Sequence, residues 1–253
     1  MNLNETLKGK VCIITGAGKG IGRETAKLFY SQGAIVCLIS RSKEDLLRLK
    51  KEAEFDSKRI LLIGGDVSSE NTVVKFTESI ITKFRKIDVL INNAGMRFRK
   101  NFLDTNLGEW DCVITNNLNS VYLFCRYAGR YMVKRKKGKI VNIASIVGTL
   151  GLPQLAAYGA SKGAIVSLTK CLALEWADYN VNVNAIAPGF CQTSYAQDFK
   201  KKNQLYKFTL ERTPQKKWGT AKDIAEACLF LSRDVSEYIT GETLNVDGGW
   251  SAW

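Results

Sequence analysis

The sequence predicts an α/β fold in which a parallel sheet of about seven strands is covered by helices on both faces. Apolar runs of strand length alternate with amphipathic helical patterns, and the first run leads directly into a glycine-rich turn. Strictly alternating strands and helices favour right-handed crossovers, which make the sheet doubly wound, of Rossmann type. The 253 residues suit one domain of this kind, so we expect 1–253 to form a single unit.

The strands are predicted from short apolar runs bounded by glycine or charged residues. In chain order they are Val11–Ile14, Ala34–Ile39, Ile60–Ile63, Val89–Ile91, Ile140–Ile143, Val181–Ala187 and Thr243–Val246. The helices are predicted from apolar residues at helical spacing and from stop signals such as Gly33. They cover 20–32, 43–54, 69–84, 108–134, 156–178 and 221–231, and a charged helical insertion covers 194–211.

Composition excludes several classes of protein. The seven cysteines are scattered without a Cys-x-x-Cys pair, which favours reduced thiols and a cytoplasmic location over a disulfide framework. The chain has no histidine, so we expect no metal site. No run of 18 apolar residues and no secretion signal is evident, so we expect no membrane association.

The net charge of +13 raises the question of nucleic acid binding. Three basic runs contribute to it, at 97–100, 134–137 and 200–202. No zinc finger, RNA-binding signature or basic zipper accompanies the charge. We therefore interpret the runs as a solvated, lysine-rich surface and do not expect nucleic acid as a partner.

A dinucleotide site is predicted at the turn after the first strand, Thr15-Gly16-Ala17-Gly18-Lys19-Gly20-Ile21-Gly22. Glycines let the backbone approach a pyrophosphate, which then rests on a helix N-terminus. A lone glycine-rich stretch is weak evidence and can be a structural loop. This one follows a strand and opens a helix in the first βαβ unit, which is the context that a dinucleotide site requires.

The end of the second strand discriminates between the two cofactors. An acidic residue there would bind the ribose 2′-hydroxyl of NAD(H) and repel the 2′-phosphate of NADP(H). This chain has Ser40-Arg41-Ser42 instead. Arg41 and Lys19 supply two cations for a phosphate, so we expect NADP(H) to be preferred over NAD(H). The alternative is that Arg41 simply faces solvent.

Tyr158 and Lys162 form a candidate acid/base pair, because positions i and i+4 share one face of a helix. A phenol has a pKa of about 10, and a cation about 4 Å away could lower it by about three pKa units. Ser145, upstream of the pair, could act with Tyr158 as a second donor to a developing oxyanion. Taken alone, Tyr158 and Lys162 could equally be an ordinary surface pair.

Across nearly its whole length the chain resembles the short-chain dehydrogenase/reductase family. The resemblance rests on an ordered set of motifs, which are Thr15–Gly22, Asp66-Val67, Asn92-Asn93-Ala94-Gly95, Asn117, Ser145, Tyr158 with Lys162, and Pro188-Gly189 through Thr193. Each motif alone is modestly specific, but the ordered set is very specific. The resemblance implies an NAD(P)-dependent oxidoreductase that interconverts a secondary alcohol and a ketone by hydride transfer.

The resemblance also implies roles for the catalytic residues. Tyr158 would give and take the proton at the substrate oxygen, and Ser145 would hydrogen-bond the same oxygen. Lys162 would bind the nicotinamide ribose and lower the pKa of Tyr158, while Asn117 would position a water that links Lys162 to solvent.

The family pattern further assigns the cofactor contacts. Asp66 and Val67 would meet the adenine, and Asn93, Ala94 and Gly95 would line the adenosine side. The segment from Pro188 and Gly189 to Thr193 would hold the carboxamide end of the nicotinamide.

Two branches of the family fit the substrate. The basic residues Arg135 and Lys136 and the stretch Ser145–Thr149 resemble the 3-oxoacyl carrier-protein reductases of fatty acid synthesis, with acyl carrier protein as a possible partner. Against that branch, the chain has Asp178-Tyr179-Asn180 where those reductases often carry a second basic residue.

The other branch is the gluconate 5-dehydrogenase group, which we favour slightly. Local resemblance to it comes from Arg99-Lys100, Glu175-Trp176-Ala177, Arg212-Thr213-Pro214 with Trp218-Gly219, and the tail 247–253. Arg99 is the candidate clamp for a substrate carboxylate, with a role as surface charge as its alternative. A non-catalytic NADP-binding protein is a further alternative for the whole chain.

Two predictions concern segments outside the motifs. The charged insertion 194–211 would be a substrate lid with an apolar side. The helix 156–178 is apolar on most faces, which suggests contact with a second subunit in a homotetramer or homodimer, and Trp250 and Trp253 would pack across such an interface.

Overall fold

The protein is described here by a computed structural model over residues 6–192 and 203–252. Its centre is a seven-stranded sheet in the order β3-β2-β1-β4-β5-β6-β9, with every neighbouring pair parallel. The strands of this sheet are β1 (Val11–Thr15), β2 (Ile35–Ser40), β3 (Ile60–Gly64), β4 (Val89–Asn92), β5 (Gly138–Ile143), β6 (Val181–Pro188) and β9 (Thr243–Val246). The predicted fold class is confirmed, and each predicted strand is present.

Helices pack on both faces of the sheet. They are α1 (Gly20–Ser31), α2 (Lys43–Glu52), α3 (Glu70–Phe84), α4 (Leu107–Ile114), α5 (Ser120–Arg135), α6 (Ala156–Trp176), α7 (Asn203–Arg212) and α8 (Ala221–Ser232). The predicted single helix 108–134 is wrong in one respect, because a π turn at Thr115–Asn119 separates α4 from α5. A single wider turn leaves too little trace in the apolar periodicity to be predicted.

One further feature differs from the sequence prediction. A separate two-stranded parallel pair joins β7 (Cys191–Gln192) to β8 (Gly219–Thr220), and strands this short carry no readable alternation. Within the predicted lid 194–211, the described part is helical from Asn203, and 194–202 lie outside the described residues. The lid and the single-domain organisation stay predictions.

The apolar core is divided between the two faces of the sheet. In β1, Val11 and Ile13 belong to the cluster under α3, α5 and α6, whereas Cys12 and Ile14 belong to the cluster under α1, α2 and α8. A parallel sheet covered on both faces requires such unbroken apolar strands. Cys12 and Cys37 are among these core residues and have no exposed surface.

The strand order places a crevice beyond the carboxyl ends of the strands, between β1 and β4. From β1 the chain proceeds through β2 and β3 on one side, then returns to place β4 on the other side of β1. In open α/β sheets ligands bind at such a switch point, beyond the carboxyl ends of the strands. In the two described stretches, no helix has both the length and the apolar composition needed to cross a membrane.

Candidate active site

The glycine-rich turn after β1 is fastened to the segment that follows β4. The Thr15 hydroxyl accepts hydrogen bonds from the backbone N–H groups of Asn93 and Ala94, each at 2.9 Å. In return, the Asn93 side-chain amide donates to the Thr15 carbonyl at 2.9 Å and to the Gly16 carbonyl at 3.3 Å. A Cβ on Gly22 would lie 2.4 Å from the Gly16 carbonyl oxygen, so only glycine fits. The turn therefore presents bare backbone at the start of α1, as pyrophosphate binding requires.

The far side of the turn contacts the start of α2. A Cβ on Gly18 would lie 2.9 Å from the Ser40 hydroxyl and 3.0 Å from Cβ of Asp45. The ammonium of Lys19 is 3.3 Å from the Asp45 carboxylate, and Arg41 is exposed at the end of β2. Lys19 thus already has an acidic partner that the sequence prediction did not include. The binding of a 2′-phosphate by Lys19 and Arg41 stays a prediction.

The predicted adenine contacts follow β3. The Asp66 carboxylate accepts hydrogen bonds from the backbone N–H of Ser68 at 2.9 Å and from its hydroxyl at 2.7 Å. These bonds, with a smaller contribution from the charge of Arg41, hold the pKa of Asp66 below its usual value. Val67 beside it is buried. The two hydrogen bonds hold the negatively charged Asp66 carboxylate in place near Arg41.

The candidate catalytic residues lie on α6 and directly after β5. Lys162 is 4 % exposed, and its ammonium donates a 2.7 Å hydrogen bond to the carbonyl of Ile143, the last residue of β5. The same nitrogen lies 5.8 Å from the centre of the Tyr158 ring. Burial lowers the pKa of Lys162 to about 8. The predicted pair therefore shares one helix face, with the cation held beside the ring by a backbone carbonyl.

The pKa of Tyr158 departs from the prediction. Burial raises it above the usual value of a phenol, the charge of Arg97 and a hydrogen bond with Ser145 oppose that rise, and Cys191 adds to it. The net lowering of this pKa expected from Lys162 is not found, because its ammonium donates to the Ile143 carbonyl and loss of water around the phenol dominates. Tyr158 is consequently protonated at neutral pH, the state needed to donate a proton to a ketone oxygen.

Asn117 lies in the π turn between α4 and α5 and is fully buried. Its side-chain oxygen accepts from the backbone N–H of Met96 at 2.7 Å, and its amide donates to the Met96 carbonyl and the Ser161 hydroxyl at 3.0 Å. The side chain thus ties the segment after β4 to α6. Its predicted role in positioning a water stays a prediction.

One cavity of about 450 Å³ joins the catalytic residues to the glycine-rich turn. Its walls include Ile21 of that turn and the predicted residues Asn93, Gly95, Ser145, Tyr158, Lys162, Pro188 and Gly189. Thr193 lies outside the described residues. The cavity therefore brings the candidate catalytic residues into one space with Ile21 of the glycine-rich turn, whereas Lys19, Arg41, Asp66 and Val67 do not line it.

Arg97 lines this cavity, whereas Arg99, the predicted clamp, does not. The Arg99 guanidinium instead donates at 2.9 Å to the side chain of Gln154. The Arg97 guanidinium lies 5.8 Å from the centre of the Phe190 ring, which forms another wall. Sequence reasoning missed Arg97 because the basic run offered three cations and no signal of which one faces inward.

Trp250 corrects the prediction of an intersubunit contact. Its side chain has no exposed surface and packs within the chain, with its ring centre 5.0 Å from that of Phe190. Phe190 in turn contacts Trp218, and Phe208 of α7 contacts Trp250 edge-on. The C-terminal segment thus supports a wall of the cavity instead of leaving Trp250 for a partner. Trp253 lies outside the described residues.

The basic run 134–137 lies at the opposite ends of the strands, near the starts of β1 and β4. The Arg135 guanidinium bonds to the Asp88 carboxylate at 3.2 Å, and Asp88 accepts from the backbone N–H of Val11 at the start of β1. Arg135 is therefore far from the carboxyl ends of the strands, where the cavity opens. Among residues 6–192 and 203–252, no cluster of three potential metal-binding side chains occurs.

Comparisons with known proteins agree with this geometry. A family described as Enoyl-(Acyl carrier protein) reductase matches residues 16–251. A 3-oxoacyl-(acyl-carrier-protein) reductase of Thermotoga maritima is 38 % identical over 96 % of this chain and 98 % of its own length. A 2-dehydro-3-deoxy-D-gluconate 5-dehydrogenase of Bacillus subtilis is 37 % identical over 97 % of this chain and 96 % of its own.

A solved structure extends the comparison to ligands. The gluconate 5-dehydrogenase of Burkholderia cenocepacia, crystallised with NADP and tartrate, superimposes with a TM-score of 0.93 at 30 % identity. The superposition covers all of both chains.

Proposed function

The chain belongs to the short-chain dehydrogenase/reductase family. We propose that it is an NADP(H)-dependent oxidoreductase that acts on a sugar acid such as gluconate or 5-ketogluconate. It would interconvert a secondary alcohol and a ketone on such a molecule. The observation that carries this proposal is the cavity in which Ser145, Tyr158 and Lys162 meet both the glycine turn and Arg97.

The chain's own groups have distinct tasks in this reaction. A bound nicotinamide supplies or accepts the hydride. Tyr158, kept protonated by burial, donates a proton to the ketone oxygen, and Ser145 hydrogen-bonds the same oxygen. Lys162 keeps a positive charge beside the ring below a pH of about 8 and thereby stabilises negative charge on the phenol. In alcohol oxidation the proton moves back to Tyr158.

Arg97 supports the choice of an acid as substrate. A guanidinium at the cavity wall can pair with a carboxylate in a bidentate manner while the hydroxyl or ketone of the same molecule lies at Tyr158. The chain's likeness to a 2-dehydro-3-deoxy-D-gluconate 5-dehydrogenase and to an enzyme crystallised with tartrate points to the same class. Arg97 takes the place that the sequence prediction gave to Arg99.

The alternative is a 3-oxoacyl carrier-protein reductase, which the 38 % identity to the Thermotoga enzyme favours. Arg135 offers no support for it, because this residue is paired with Asp88 at the amino ends of the strands, away from the cavity. Turnover of 5-ketogluconate and of a 3-oxoacyl thioester, each with NADPH and NADH, separates the two. Faster turnover of the thioester would overturn the sugar-acid proposal. Absence of turnover with every ketone, together with tight NADPH binding, would favour a non-catalytic protein.

Replacement of Arg97 tests the substrate class. Loss of a charge-assisted hydrogen bond should raise KM for 5-ketogluconate about ten-fold or more in Arg97→Leu. KM for an uncharged ketone should rise much less, since this substrate has no carboxylate to pair with Arg97. Arg99→Leu is the matched control, because its guanidinium contacts Gln154 outside the cavity. Equal effects of the two substitutions on KM would contradict the assignment.

Cofactor preference, location and assembly belong to the same proposal. Lys19 and Arg41 support a preference for NADP(H), and all seven thiols are unpaired, which favours a cytoplasmic location. We also propose a homotetramer or homodimer. Exposed apolar side chains of α5 and α6, Tyr122 and Leu174, offer surface for such contacts.

A further inference from the structure

The first turn of α2 brings a carboxylate to the edge of the predicted nucleotide site. Ser42 caps the helix and accepts from the backbone N–H of Asp45 at 3.0 Å, which fixes the backbone of Asp45 in the first turn. The Asp45 side chain is only 14 % exposed and contacts the glycine turn at Gly18. It is therefore held in place against the loop and is not a freely moving surface acid.

The position of Asp45 relative to β2 gives the carboxylate a functional meaning. The ribose 2′-substituent of a dinucleotide lies at the end of the second strand, where an acidic residue accepts a hydroxyl and repels a phosphate. Ser40 is the last residue of β2. A Cβ added to Gly18 would lie 2.9 Å from the Ser40 hydroxyl and 3.0 Å from Cβ of Asp45, so both side chains lie beside Gly18. The sequence places no acid at the strand end itself, but the fold returns one to that place from α2.

The carboxylate also engages one of the two cations expected to bind a 2′-phosphate. Lys19, whose side chain is 69 % exposed, lies 3.3 Å from Asp45, and Arg48 is a more distant partner at 3.9 Å. A phosphate approaching Lys19 must compete with a fixed carboxylate and is also repelled by it. A 2′-hydroxyl meets neither penalty.

We propose that Asp45 limits the preference for NADP(H) by holding Lys19 and by presenting negative charge to the 2′-phosphate. This inference rests on the proposed dinucleotide-dependent function and concerns its selectivity. Arg41 favours the phosphate, Asp45 opposes it, and the balance allows NAD(H) to bind as well. Asp45 is thus a specificity-determining residue that does not contact the reacting atoms.

The test is equilibrium binding of NADPH and NADH, followed by the fluorescence of the reduced nicotinamide, to the wild type and to Asp45→Asn. We expect the substitution to lower Kd for NADPH about five-fold, the size of effect typical of an exposed ion pair, and to change Kd for NADH less than two-fold. Glu44→Gln is the matched control. Its carboxylate is on the same turn but contacts the Ser42 hydroxyl at 3.1 Å and not Lys19, so both constants should stay within two-fold.

A second variant separates the two parts of the effect. In a Lys19→Met background, Asp45→Asn can relieve only the direct repulsion between the carboxylate and the 2′-phosphate. The decrease in Kd for NADPH caused by Asp45→Asn should therefore be smaller than in the wild-type background. Unchanged NADPH binding in Asp45→Asn, or an equal gain for both nucleotides, would overturn the inference. Asp45→Ser provides the same readout if the amide is poorly tolerated. Failure of the wild type to bind either nucleotide would instead overturn the proposed function.

Discussion

The nucleotide end and the catalytic end of the cavity are built by different means. Around Gly16 and Gly22 the site consists of backbone groups and neutral hydrogen bonds from Thr15 and Asn93. Around Tyr158 it consists of titratable groups whose pKa values are shifted by burial. The glycine turn therefore depends on close packing, and the catalytic end depends on charge. Substitutions in the glycine turn should therefore change nucleotide affinity, and substitutions at the catalytic end should change turnover.

The largest effect is expected at the catalytic end. Tyr158→Phe should reduce turnover by about a thousand-fold or more, since the proton donor to the ketone oxygen is lost. NADPH binding should change less than three-fold, because the ring and Lys162 remain. Steady-state kinetics and nucleotide titration measure the two quantities. Tyr30→Phe is the control, as this hydroxyl bonds only the backbone of Asp56 among the described residues. Substantial residual turnover would remove Tyr158 as the acid.

The next effect should fall on binding. Gly22→Ala places a Cβ 2.4 Å from the Gly16 carbonyl oxygen and must displace the turn. We expect Kd for both NADPH and NADH to rise about ten-fold or more. Gly151→Ala is the control, because nothing lies within 4 Å of the added atom. Normal nucleotide affinity in Gly22→Ala would mean that the turn does not carry the pyrophosphate.

A smaller effect is expected on stability alone. Thr15→Val removes the hydroxyl that accepts from the N–H groups of Asn93 and Ala94, and should lower the free energy of unfolding by about 1–3 kcal/mol. Denaturant titration measures the loss. Thr105→Val, which removes an exposed bond to the Asn101 carbonyl, should cost less than about 0.5 kcal/mol. Equal losses would show that the two segments are not fastened through Thr15.

The smallest effect is the pH dependence, which reports on charge and not on packing. The lowered pKa of Lys162 means that its positive charge is present below pH about 8 and is lost as pH rises through that value. Ketone reduction should therefore slow above pH 8, and alcohol oxidation should gain nothing over the same range, because the pKa of Tyr158 is raised and the charge that favours its phenolate is being lost. Rates measured in both directions at saturating nucleotide test this. A reduction rate that stays flat well above pH 8 would contradict the assignment.

Much of the fold could be predicted, because buried strands such as β1 and β2 are apolar runs bounded by glycine and charged residues. The same reasoning identified Ser145, Tyr158 and Lys162, whose spacing carries a recognisable pattern. It could not choose Arg97 over Arg99, since that choice depends on which way an irregular segment turns its side chains.

The shifted pKa values could not be predicted for a different reason. Local spacing brings Lys162 beside Tyr158, but burial is a property of the whole fold and outweighs the attraction between the two. The pairing of Lys19 with Asp45 was missed likewise, because it depends on how α2 packs against the glycine turn.

The most direct test follows deuterium from NADPH that carries deuterium at both C4 positions of the nicotinamide into the product of 5-ketogluconate reduction. We expect the wild type to form a product one mass unit heavier. We expect Tyr158→Phe, saturated with the same nucleotide, to form almost no labelled product. Unlabelled product from the wild type, or equal labelling by Tyr158→Phe, would contradict a hydride transfer that depends on the proton of Tyr158.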